Sequence, residues 1–206
     1  MARTPFHLLV PTHAEAAHLR RHRPTVTGPG SAAVVAALEH IARTDPGAAV
    51  VLAGFAGGLN PALPVGHVLR PTTVSHAHGR ATTLAHGDGT TIVSVEHVVA
   101  TPAAKAALRA ATAADAVDLE SHAAAVHAAA LGLRFTVLRA ISDDAATALP
   151  PPCATWVTPA GRTRVLRVLV WALPRPSRLA ALRQLQRDAA AAGRTLAAAL
   201  DALDTC

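Results

Sequence analysis

At 206 residues and 51% hydrophobic, the chain is long enough for one substantial core and is expected to form a single domain over residues 1–206. A net charge of +6 accompanies no tyrosine, three phenylalanines and two tryptophans, so the stacking platforms of a single-stranded nucleic-acid binder are missing and no nucleic-acid partner is expected. Cys153 and Cys206 make neither a disulfide framework nor a metal-ligand spacing, and no apolar run reaches the roughly 18 residues of a membrane span, so a cytoplasmic protein without stable membrane insertion is expected.

In chain order, residues 6–10 read as a strand and 13–21 as a first helix. Residues 25–27 form a short strand ending at Gly28-Pro29-Gly30, after which Ser31 is placed to N-cap a helix to about residue 42. Residues 48–53 are a continuous apolar strand. It runs into Gly54-Phe55-Ala56-Gly57-Gly58, read as a turn whose residues take positive φ or present backbone donors to a ligand. Stretches 65–74, 81–85 and 91–95 are β-rich and punctuated by turns. Helix 102–111, strand 116–119, helix 121–131 and a strand from 135 to 141 then alternate. Past Pro150-Pro151-Pro152 the chain turns helical, over 160–172 and again over 177–203. The alternation implies an α/β fold, a three-layer αβα arrangement with a mixed, largely parallel central sheet, in which ligands sit beyond the carboxyl ends of strands.

Val117-Asp118-Leu119-Glu120-Ser121 and, about twenty residues on, Arg139-Ala140-Ile141-Ser142-Asp143 put carboxylates at the ends of successive elements. Glu120 and Asp143 are therefore expected to flank one cleft. Taken alone, Asp143 reads as a helix cap, Glu120 as a first-turn acid favoured by the helix dipole, and Glu15 as an ordinary acid of the first helix. The Gly28-Pro29-Gly30-Ser31 turn could offer amides to an anion at a helix N-terminus. His76, His78 and His86 could converge across a hairpin, with Asp88 nearby. Outward polar positions account for them better than a metal site does.

Gly54-Phe55-Ala56-Gly57-Gly58-Leu59 with Gly66, then Asp118-Leu119-Glu120-Ser121, then Arg139-Ala140-Ile141-Ser142-Asp143, resemble the successive signatures of the purine/uridine phosphorylase superfamily. Within it they resemble 5′-methylthioadenosine/S-adenosylhomocysteine nucleosidases, over about residues 6–145. The region 94–105 and the proline-rich tail are similar to hopanoid-associated phosphorylases. The resemblance implies cleavage of the N-glycosidic bond of a purine-type nucleoside, without cofactor or metal, by a homodimer. It implies Asp143 as the acid protonating the base, Glu120 as the grip on the ribose hydroxyls with Leu119 beside it, and Glu15 as the base for water. Ser142, Phe55, Ala56, Gly57 and Val98 would complete the substrate site, Val98 standing where nucleosidases stack a phenylalanine. Gly28 and Gly30 would bind phosphate if the enzyme were a phosphorylase. The strand before Gly54 lacks the arginine that hexameric phosphorylases place there, so hydrolysis is expected over phosphorolysis. The alternatives are a phosphate-dependent enzyme acting on an adenosylated lipid such as adenosylhopane, and a nucleoside-binding protein without catalysis.

Overall fold

The computed structural model describes residues 6–77 and 79–203. His78 and Cys206, named above, lie outside those residues. Strands β1 (Phe6–Val10), β2 (Thr25–Val26) and β3 (Ala49–Gly58) are linked through helices α1 (His13–Ala16) and α2 (Ser31–Thr44). Four short strands follow: β4 (Val68–Leu69), β5 (Thr73–His76), β6 (Ala81–Thr83) and β7 (Thr91–Ser94). Then come α3 (Pro102–Thr112), β8 (Ala116–Asp118), α4 (Ser121–Ala130), β9 (Arg134–Asp143), α5 (Val165–Ala172) and α6 (Pro176–Leu203).

The described strands form one mixed sheet. β1 pairs in parallel with β2 and β3, β3 with β9, and β7 with β5 and β8. Antiparallel pairing is confined to β3 with β8, β4 with β9 and β5 with β6. Alternation along the central strands sorts their side chains between two helical layers. Val51 and Ala53 join Leu8, Val10, Leu138, Leu196 and Leu200 under α6. Val50 and Leu52 join Leu9, Val34, Leu38 and Ala124 under α2 and α4. Each such leucine or valine contributes about 1.5–3 kcal/mol on burial, and a one-residue slip of β3 would exchange the two sets. The three-layer α/β arrangement expected from the alternation of elements is the one observed.

Local boundaries differ from the sequence reading in four places. The first helix shortens to α1, because the chain drops Leu19 into the core and turns through a 3₁₀ segment, Arg20–His22, ending at Arg23 with φ 51. Gly30, at φ 94, is the N-cap of α2. Ser31 is the first helical residue and donates its hydroxyl to the Leu119 carbonyl. The helix expected from residue 160 starts only at Val165, since Val157 and Thr163 form a bridge across a tight hairpin first.

The fourth difference positions the site. Gly54 to Gly58 is not a turn but the continuation of β3, paired with β9 as far as Gly57 opposite Asp143, with a register shift between Ala56 and Gly57. None of these three glycines takes positive φ. They are small because neighbours come close: a Cβ on Gly54 would lie 2.7 Å from Glu15 Oε1 and 3.1 Å from Pro11 Cδ, and against Arg139 Nη1. A Cβ on Gly57 would lie 3.2 Å from Asp143 Oδ2.

With β9 occupying one edge of β3, β1 and β8 must share the other. β1 covers Ala49 to Leu52 and β8 covers Gly57 and Gly58. Between them the edge of β3 is open. Side chains from the ends of β1, β8 and β9 converge on that gap.

Candidate active site

A pocket of about 370 Å³ fills this gap. Its lining includes Glu15, Phe55, Ala56, Gly57, Val98, Leu119, Glu120, Ser142 and Asp143, which places nine of the eleven sequence-derived candidates in one cavity. Gly28 and Gly30 are not in its lining, although Pro29 between them is. Apolar surface comes from Val95, Val99, Val117, Leu149 and Val157, with Cys153 beside them.

Glu15 sits on α1 immediately after β1 and is 5% exposed. Thr12, the N-cap, accepts from the Glu15 amide and donates its hydroxyl to Glu15 Oε2 at 2.6 Å. The other oxygen, Oε1, accepts from Phe55 N–H at 2.7 Å, a backbone donor that the open edge of β3 leaves without a strand partner. Burial raises this carboxyl above the ordinary glutamate range, against the opposing pull of the Thr12 and Phe55 hydrogen bonds and of the Arg139 charge. The Phe55 amide expected to face a ligand is thus committed to Glu15.

Glu120 ends the β8–α4 connection, 4% exposed. Its Oε1 accepts from Gly30 N–H at 2.8 Å and its Oε2 from Arg139 Nη2 at 3.1 Å. Burial pushes its pKa up to about 7 despite Arg139, with Asp118 and Glu15 adding like-charge repulsion. The Gly30 bond corrects the anion reading of the Gly28–Gly30 turn. One of its amides already serves a carboxylate, and the Gly28 Cα, where a Cβ would collide with the Pro159 carbonyl, is packed against backbone.

Sequence reasoning gave no role to the group that joins these acids. Arg139 is fully buried in the middle of β9 and bridges Asp118 Oδ2 at 2.7 Å and Glu120 Oε2 at 3.1 Å. Its Nε donates to Ser121 Oγ at 3.3 Å. Asp118 is held in turn by the Ser94 hydroxyl at 2.6 Å and by the Ser121 hydroxyl and amide. Arg139 Nη1 has no hydrogen-bond partner among the described residues. It lies over Gly54, which Glu15 Oε1 also approaches, so both groups occupy space that a Cβ there would take, and the Arg139 charge acts on the Glu15 carboxyl. The available signal was a lone charge inside the apolar run Phe135 to Ile141.

Asp143 closes β9 and is not a helix cap. Asp144 does the local capping, accepting from the Ala146 amide and the Thr147 hydroxyl. Asp143 Oδ1 accepts from Ser142 Oγ at 2.7 Å, and Oδ2 from Lys105 Nζ at 2.6 Å. Lys105, on α3, is completely buried and also donates to the carbonyls of Asp144 at 2.5 Å and Thr147 at 3.2 Å, so its three N–H bonds all find acceptors. Burial lifts the Asp143 carboxyl above the usual aspartate range, and Lys105 and Ser142 restrain that rise. The signal for Lys105 was its being the one lysine in an arginine-rich chain.

Among the described residues no three His, Cys, Asp or Glu side chains are placed to hold a metal ion. His76 instead packs near His122, ring centroids 6.1 Å apart, and His86 takes the left-handed conformation at φ 61. Phe55 reaches the pocket wall and the core at once, with the His18 ring 6.3 Å away.

A mixed sheet between helical layers, with buried acids gathered at an opening in its central strand, is the α/β arrangement expected of a nucleoside phosphorylase-like fold. The sequence pattern of the Phosphorylase superfamily matches residues 10–90, which supports the resemblance at the level of the superfamily and contains the Gly54 to Gly66 motif, the other two motifs lying beyond the match. No curated relative matches the chain. Among solved structures the chain is similar to futalosine hydrolase of Helicobacter pylori strain 26695, at TM-score 0.70 and 13% identity over 96% of each chain. It is also similar to 5′-methylthioadenosine/S-adenosylhomocysteine nucleosidase from Neisseria meningitidis in complex with methylthio-immucillin-A (TM-score 0.66, 18% identity, 94% of this chain and 97% of that one). The Streptococcus pneumoniae MTA/SAH nucleosidase bound to 8-aminoadenine gives TM-score 0.58 at 18% identity, over 68% and 86%. At these identities the likeness is one of fold.

Proposed function

We propose that the protein hydrolyses the N-glycosidic bond of a purine-type ribonucleoside, a 5′-substituted adenosine being the expected class. The observation that carries this reading is the convergence of three buried carboxyls, Glu15, Glu120 and Asp143, all with raised proton affinity, on one pocket. Such a site suits a reaction that builds positive charge on a sugar while a base departs as an anion. Glu15 takes a proton from water as the water oxygen bonds to C1′. The bond from C1′ to the base nitrogen breaks, and the proton of Asp143 passes to purine N7. Glu120 accepts from the ribose hydroxyls, and the attraction strengthens as the ring becomes cationic. Arg139 Nη1, buried over Gly54 and without a hydrogen-bond partner among the described residues, adds positive charge beside the Glu15 carboxylate. The nucleosidases among the fold relatives support an adenine-type base.

Hydrolysis is favoured over phosphorolysis because Gly30 N–H, the donor a phosphate would meet at the start of α2, is engaged with Glu120, while Arg139 is paired with Asp118 and Glu120 and is not in the pocket lining. The half-exposed Val98 at the pocket rim is where a second subunit of a cytoplasmic homodimer would complete the 5′ subsite. The mechanism is tested by two substitutions. Asp143→Asn should lower turnover by about 10²–10⁴-fold, and Glu15→Gln should abolish base release while nucleoside binding, followed by calorimetry, persists. Wild-type turnover in either variant removes the role assigned to that residue.

A further inference from the structure

The positive charge of this chain is concentrated in one segment of its sequence. Between residues 162 and 194 there are eight arginines against one acid, Asp188, whereas the entire chain carries a net +6. The same segment holds the most exposed apolar side chains of the described residues. On α5 and its C-cap, Val165, Leu166, Leu169, Val170 and Leu173 are between 43% and 75% exposed. They recur at i, i+1, i+4, i+5 and i+8, which makes one continuous stripe, bordered on its inner edge by the fully buried Ala172 and backed by Trp171. Trp171 is stapled on that inner side, stacked by Arg178 at 5.1 Å and edge-on to Trp156 at 5.3 Å, so the outward direction of the stripe is fixed by packing. Arg162, Arg167 and Arg175 are exposed beside and beyond it.

We propose that α5 is a peripheral docking surface for an anionic lipid bilayer. The helix is too short to cross a membrane, and no helix among the described residues is long and apolar enough to do so. A short apolar stripe flanked by arginines suits a helix lying in the headgroup plane, with leucines entering the acyl boundary and guanidinium groups on lipid phosphates. Charge decides against a second copy as the occupant. An isologous contact across α5 would bring two arginine-rich hairpins face to face, and like charges so placed oppose association. The surface is also tied to the pocket. The hairpin leading into α5 carries Val157, a pocket-lining residue, and its Gly161 carbonyl accepts from His13 N–H on the Glu15 helix. The inference does not depend on the reaction proposed above.

The test is co-sedimentation of the full chain with vesicles of phosphatidylcholine alone or of phosphatidylcholine with phosphatidylglycerol, alongside analytical ultracentrifugation. The expected result is binding to the anionic vesicles only, weakened by salt. Leu166→Ser with Leu173→Ser should reduce it by about tenfold or more through lost apolar burial, and Arg167→Glu with Arg175→Glu should reduce it similarly through lost charge. Base release in solution should be unchanged in both variants. Failure of the wild type to bind anionic vesicles, or equal binding by the variants, overturns the proposal. So does a wild-type dimer that the leucine substitutions convert to monomer without any vesicle binding, since a second copy would then cover the stripe.

Discussion

Replacing Lys105 by methionine separates the electrostatic from the packing contribution of a fully buried cation near the pocket. Methionine fills a similar volume, so the loss divides into two parts. The first does not vary with pH: the carbonyls of Asp144 and Thr147 lose their donor, at about 1–3 kcal/mol for a buried acceptor left unsatisfied. The second varies with pH. Asp143 loses its 2.6 Å ion pair, and its carboxyl, already raised by burial, rises further. A carboxyl whose folded pKa exceeds its unfolded value favours the fold below the unfolded pKa and loses that contribution as pH climbs through the folded one. Keeping Asp143 protonated costs about 1.4 kcal/mol per pH unit above an unfolded value near 3.9. Wild-type Asp143 bears part of this cost, since its own carboxyl is raised by burial, so the deficit of the variant opens only as pH climbs through the wild-type folded pKa. At alkaline pH the limit becomes the unpaired buried carboxylate, about 3–5 kcal/mol. Urea denaturation should therefore show a modest deficit for Lys105→Met at pH 5 that grows by roughly 2–3 kcal/mol at pH 8. Asp143→Asn with Lys105→Met should remove the growth. A deficit of equal size at both pH values would refute the coupling between Lys105 and Asp143.

Gly54→Ala inserts a Cβ 2.7 Å from Glu15 Oε1 and against Arg139 Nη1. It should lower kcat by more than its stability loss of about 1–3 kcal/mol explains, and a variant with wild-type kcat in steady-state assays would show that the close approach has no catalytic consequence. The pH profile of kcat/KM should be bell-shaped. Glu15 must be ionised to accept a proton and its pKa is raised, so activity falls on the acid side from a pH above the ordinary glutamate range. Asp143 must be protonated and is likewise raised, so activity falls again toward alkaline pH, and Lys105→Met should carry that alkaline limb upward. A flat profile across neutral pH would contradict both assignments.

Much of the layered architecture was legible because strand and helix runs alternate along the chain, and the continuous apolar run at 48–53 marks a strand covered on both faces, as Val50, Val51, Leu52 and Ala53 are. The pocket acids Glu120 and Asp143 were legible as motifs at strand ends. What the sequence hid was set by tertiary contact. Glycines at 54, 57 and 58 signal a turn locally, yet here they are straight strand residues made small by Glu15, Arg139 and Asp143 arriving from elsewhere in the chain. Gly30 reads as an anion-binding amide until Glu120, 90 residues away, occupies it. Lys105 looks like a helix-surface charge by composition, and only the path of β9 buries it against Asp143. Pairings of this kind leave no mark on neighbouring residues.

The most direct test of the account is free-base release from 5′-methylthioadenosine, S-adenosylhomocysteine and adenosine, each with and without phosphate. Adenine release that is independent of phosphate and absent in Glu15→Gln is the predicted result. Strict dependence on phosphate, with release surviving in Glu15→Gln, would contradict it.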